Sequence, residues 1–173
     1  MKIMIILGID PGTATTGFAI IKIKNLKLEI KNGNLETIEF GCIKTLFGKN
    51  MGERLIEINK GIDNLIKKYK PSLLAIESIY FFKNLKTAMP VSQAKGVILY
   101  TAAKNKIPVC EITPLQMKMT IAGYGKAEKK QVQKMIKIIF NLDKIPKMDD
   151  AADALGIAFC GAMELRVKNR FKQ

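Results

Sequence analysis

Residues 3–23 read IMIILGIDPGTATTGFAIIKI, and the turn at their centre decides the fold. The first apolar, β-branched run, residues 3–9, ends on Asp10. Pro11 and Gly12 then turn the chain toward a second run over residues 17–23. A third run, LETIEFGCI at residues 35–43, follows a polar stretch, so the first three segments read as an antiparallel meander. The run at 3–9 is far shorter than the ~20 apolar residues of a membrane span. It has no small-residue cleavage site either, so it is read as a strand and not as a leader.

Working outward, Leu55, Ile58, Ile62 and Leu65 recur at helical spacing among charged neighbours, and Pro71 bounds that segment. LLAI at 73–76 is apolar throughout and stops at Glu77, as a strand buried on both faces would. IPVCEI at 107–112 repeats the pattern after a long helical stretch, which implies two parallel strands joined by a crossover helix. Helices are expected from about 113, over 127–140, and from 149 to about 167, with a basic tail over about 168–173. No linker, repeat or low-complexity block interrupts the 173 residues. The expectation is one α/β domain over residues 1–173, with a five-stranded mixed sheet flanked by helices.

Composition narrows the chemistry. Lys and Arg number 29 against 15 Asp and Glu, a formal charge of +14 that favours an anionic partner such as nucleic acid. No apolar stretch spans a membrane, and a cytoplasmic protein is expected. There is no histidine, which excludes Ser-His-Asp and Cys-His nucleophile schemes, histidine zinc sites and histidine general bases. Cys42, Cys110 and Cys160 are widely spaced in apolar surroundings and read as buried, reduced thiols.

Carboxylates remain. If the two strands are parallel neighbours, Asp10 and Glu77 end side by side at the carboxyl edge of the sheet, where open α/β folds place ligands. Residues 147–162, KMDDAADALGIAFCGA, add a helix whose Asp150 and Asp153 share a stripe with Ile157, so both are aimed toward protein. A favourable interaction with the helix N-terminus accounts for Asp149, but poorly for Asp153 a turn further in. Carboxylates from three segments form an oxygen-only donor set suited to Mg2+ or Mn2+. In so basic a chain this points to phosphodiester chemistry with two metal ions.

The segments GIDPGTATTGFAII (8–21), LLAIESIYFFKN (73–84), SQAKGV (92–97), GYGKAEKKQVQKMI (123–136) and DDAADALGIAF (149–159) stand in a telling order and spacing. In that arrangement the chain resembles the RuvC family of Holliday junction resolvases from about residue 4 to 164. The resemblance implies a ribonuclease-H-like fold, a homodimer, and paired symmetric nicks at a four-way DNA junction during recombination and repair, leaving ligatable 5′-phosphates. It implies that Asp10, Glu77, Asp150 and Asp153 are the catalytic carboxylates and hold two Mg2+ ions, with Mn2+ able to substitute. The DAAD spacing selects Asp150 over Asp149. Tyr80 matches the family's junction-contacting aromatic with Phe81 beside it, and Lys118 and Lys129 match basic positions near the scissile phosphate. Partnership with the RuvA and RuvB branch-migration proteins is implied as well. Pro90 departs from the family pattern and is expected to kink or restart the crossover helix.

Three rival readings fit the sequence less well. An actin-like or sugar-kinase ATPase shares a DPGT-type loop but needs two lobes, for which 173 residues leave no room. A ribosomal-RNA-processing nuclease of the same fold would cut RNA and ignore DNA junctions. A junction binder without catalysis would gain nothing from four anions beside phosphate. Lys130, Lys134 and Lys137 lie opposite Val132, Ile136 and Ile139, the pattern of an ordinary solvated helix face.

Overall fold

A computed structural model describes residues 3–25, 34–78 and 85–170. Three strands come first: β1 (Met4–Asp10), β2 (Thr15–Ile23) and β3 (Leu35–Lys44). Helix α1 (Met51–Tyr69), strand β4 (Leu73–Glu77), helix α2 (Leu85–Lys104) and strand β5 (Val109–Ile112) follow. Helices α3 (Pro114–Ala122), α4 (Lys129–Ile139) and α5 (Asp149–Arg170) complete the order. The sheet runs β3-β2-β1-β4-β5, with β1, β2 and β3 antiparallel and β1, β4 and β5 parallel. The meander and the crossover pair are as the strand signals imply.

Alternation along the central strands builds two cores. Leu7, Ile9, Ile20, Leu74 and Ile76 point to one face and pack under α1 and α2, whose Ile58, Ile62, Ile98 and Ala102 are fully buried. Each such aliphatic side chain contributes roughly 1.5–3 kcal/mol by leaving water. Asn50 opens α1 with a reciprocal capping box to Glu53, which fixes where the helix starts. Ile6, Ala19, Ile21, Leu73 and Ala75 point the other way, onto α5 with α3 and α4 outside it.

The second layer is unusually close. A Cβ on Gly17 would stand 2.0 Å from the carbonyl oxygen of Asp150, and one on Gly8 would stand 2.3 Å from that of Ala154. Both obstacles are backbone. The absence of side chains on β1 and β2 therefore sets how near α5 lies, and Ala151, Ala154 and Ala158 present the matching small face. Gly17→Ala should destabilise the fold by about 3 kcal/mol or more, since the helix start must be pushed off the sheet. Urea denaturation checks this, and an unchanged midpoint would show that the close approach is dispensable.

Three expectations are corrected. β5 is an edge strand, and Val109 and Glu111 are exposed, so it is not buried on both faces. Its apolar content serves only one side, the rest meeting water beyond the last ladder. Pro90 neither breaks nor restarts α2, which runs unbroken from Leu85 to Lys104. The proline is the sixth residue, so its missing N–H removes a single bond in the second turn. The three cysteines are free, but only Cys160 is buried and the other two are partly exposed. Burial pushes the Cys160 thiol up to about 12, which keeps it protonated and unreactive.

Candidate active site

The register of the parallel pair places Ile9 beside Ile76, so Asp10 and Glu77 are the next residues of two adjacent strands at their carboxyl ends. Alternation turns both toward α5, the face of Gly8 and Ala75. Asp10 also pairs with Gly17, against whose bare Cα the first turn of α5 rests. One contact thus brings Asp150 and Asp153 to the edge where Asp10 and Glu77 end.

The four charges feel one another. The Asp10 carboxyl is raised from 3.8 to about 8 by burial, then by Glu77, Asp153 and Asp150, with Lys129 partly offsetting. Glu77 is raised from 4.5 to about 7, first by burial and then by Asp153, against the opposing pull of Lys95 and Lys129. Asp153 is likewise raised by burial, with Lys129 opposing. This is a crowd of buried negative charge short of cations.

Lys129, the first residue of α4, reaches across with its Nζ 3.1 Å from Asp149 Oδ2 and 3.5 Å from Asp153 Oδ2. Burial works against its charge, but the two carboxylates outweigh it and hold the ammonium above its ordinary range. Asp149 is exposed and turned toward α4, where its Oδ1 accepts a bond from Gln133 Nε2 at 2.9 Å. Lys129 and Gln133 pull its carboxyl below the usual range. Asp150, not Asp149, therefore belongs to the cluster around Asp10.

Among the described residues no three acidic side chains are gathered tightly enough to enclose an ion by themselves. The donor set nevertheless fits a hard divalent cation. Mg2+ takes one or two carboxylates and completes its shell with water and substrate phosphate oxygens, and the raised carboxyls mark where positive charge is lacking.

Lys118 sits half-buried on α3 and has no ion-pair partner among the described residues. Tyr80 and Phe81 lie outside the described residues. Lys95 is a residue the sequence reading passed over. It is 13% exposed, bonds Glu111 at 2.6 Å and acts electrostatically on Glu77. The signal was present, because Lys95 shares a helical stripe with Ile98 and Ala102, which are fully buried. A lysine on that stripe is as anomalous as aspartates on the inner face of α5.

The family model for crossover junction endodeoxyribonuclease RuvC matches residues 6–161. This chain belongs to the RuvC family. It is 47% identical over 167 residues to crossover junction endodeoxyribonuclease RuvC of Natranaerobius thermophilus, covering 96% of this chain and 99% of that one. The RuvC of Clostridioides difficile is 43% identical over 169 residues, 98% and 96% of the two chains. Among solved structures, T. thermophilus RuvC in complex with Holliday junction substrate superposes with a TM-score of 0.86 at 28% identity, covering 95% of this chain and 96% of that one. The fold is therefore ribonuclease-H-like, as the motif order implied. Among the described residues no helix is long and apolar enough to cross a membrane.

Proposed function

We infer that this protein is a metal-dependent endodeoxyribonuclease that resolves four-way DNA junctions by paired nicks. The observation that carries the reading is the convergence of Asp10, Glu77, Asp150 and Asp153, from three elements, on one sheet edge of a chain with charge +14. The RuvC membership and the junction-bound relative of the same fold support it. On this reading the domain is a single nuclease unit working in the cytoplasm.

Each residue has a role that its place allows. Asp10 lies deepest and, with Glu77, Asp150 and Asp153, would hold two Mg2+ ions, with Mn2+ as a substitute. Bound there, the ions supply the Lewis acidity that phosphodiester hydrolysis needs. Lys129 stands at the mouth of the cluster, where its ammonium, paired with Asp149 and Asp153, would also meet charge building on a phosphoryl oxygen. Lys118 and the exposed Lys130 and Lys134 would bind backbone phosphates further out. Tyr80 and Phe81 would stack on bases unpaired at the crossover.

Paired nicking asks for two sites, and α2 offers a face for a second copy. Met89, Gln93, Gly96 and Tyr100 lie exposed on one stripe, and Met89 and Tyr100 are 64% and 63% exposed. A homodimer across that stripe is the arrangement proposed, with the RuvA and RuvB proteins delivering the junction.

The deciding experiment incubates the protein with a synthetic four-way junction, a matched duplex and structured RNA, with and without Mg2+. Symmetric, Mg2+-dependent cutting of the junction alone is expected, leaving nicks that ligase seals. Preferential RNA cleavage would point to an RNA-processing nuclease, and tight junction binding without cleavage to a binding protein.

A further inference from the structure

Lys129 divides its ammonium between two carboxylates with opposite duties. One, Asp153, belongs to the cluster that a divalent ion must enter. The other, Asp149, is 60% exposed and stands outside it. The nearer partner is Asp149, at 3.1 Å against 3.5 Å. Asp149 is also held in place, because its second oxygen accepts from Gln133 at 2.9 Å. Gln133 lies four residues after Lys129, so both project from the same face of α4 toward the first residue of α5.

We propose that Asp149 is a positioning residue, which draws Lys129 off Asp153 so that Asp153 stays available to the metal while the ammonium waits at the mouth of the site. The proposal rests on the metal-site reading above and adds a part to it. A lysine resting wholly on Asp153 would occupy the oxygen an ion needs, and ion and lysine would compete for it. Asp149 supplies a second anchor outside the competition. Gln133 keeps that anchor aimed, occupying Oδ1 and leaving Oδ2 for Lys129.

The test reads metal binding directly, in full-length protein without DNA, by titrating Mn2+ and following the free ion by electron paramagnetic resonance. Asp149→Asn should weaken Mn2+ binding about twofold to fivefold, the range expected for loss of one exposed ion pair. Gln133→Ala should weaken it less. Removing an anion also weakens cation binding through space, so the variant is repeated in a Lys129→Met background. There, with no lysine to displace, Asp149→Asn should weaken Mn2+ binding distinctly less, by the through-space effect alone. An equal loss in both backgrounds, or none in either, overturns the proposal while leaving the metal site standing. No Mn2+ binding by the unmutated protein overturns both. Melting curves of the variants establish that each is folded.

Discussion

Asp10→Asn is expected to bind a four-way junction as tightly as the unmutated protein and to cut it on the order of 10²–10³-fold more slowly, or not measurably. Asp10 lies deepest in the cluster, flanked by Glu77 on the neighbouring strand and by the start of α5 across Gly17. Its amide keeps the shape but removes the charge that attracts a divalent ion. Junction binding should persist, because affinity for DNA rests mainly on lysines and arginines meeting phosphates. Gel-shift and cleavage assays on one substrate separate the two effects. A variant losing binding and cutting in equal measure would assign Asp10 to the fold instead.

The second large effect needs no DNA. With Asp10 raised to about 8 and Glu77 to about 7, the folded protein holds protons that the unfolded chain releases near 4. Stability is therefore highest at low pH and is lost as pH rises between about 4 and 8. The chain has no histidine, so no other ordinary side chain titrates across the upper part of that window. In EDTA the melting midpoint should fall by roughly 5–10 °C between pH 5 and pH 8, a few kcal/mol for a chain of this size. Millimolar Mg2+ should restore most of that loss at pH 8, since an ion held only by the folded, deprotonated cluster would stabilise it by linkage. Asp10→Asn should raise the metal-free midpoint at pH 8 and flatten the profile. Asp153→Asn should gain less, since Lys129 already offsets that charge. A midpoint in EDTA that stays level from pH 5 to 8 would contradict the crowding.

Both effects trace to carboxylates that sequence made legible, for a simple reason. Apolar runs that stop on Asp10 and Glu77, and aspartates on the stripe of Ile157, violate the hydrophobic pattern around them, and such violations mark sites. Lys95 violates the pattern in the same way, on the stripe of Ile98 and Ala102. The edge position of β5 is not visible in its hydropathy, which reports apolar content and not place in a sheet. Pro108, one residue before the strand, was the sign of an edge. Pro90 does not restart the helix because it falls only six residues into α2, where its missing N–H removes a single bond. The bridge from Gln133 through Asp149 to Lys129 links helices through side chains 16 and 20 positions apart in the chain, beyond the reach of periodicity.

The bare-backbone seating of α5 on Gly8 and Gly17 bears on how the molecule fails when heated. In many enzymes the reactive groups ride on segments that open while the rest stays shut. Here two of the acids stand on central strands and two on a helix whose first turns rest directly on strand backbone at Gly8 and Gly17. These acids cannot drift apart unless the sheet and α5 separate. Amide hydrogens of β1 and α5 should accordingly exchange with solvent water only through global unfolding, in a single cooperative unit. Loss of cleavage on warming should then coincide with the melting transition, with no lower temperature at which a folded but inactive protein accumulates.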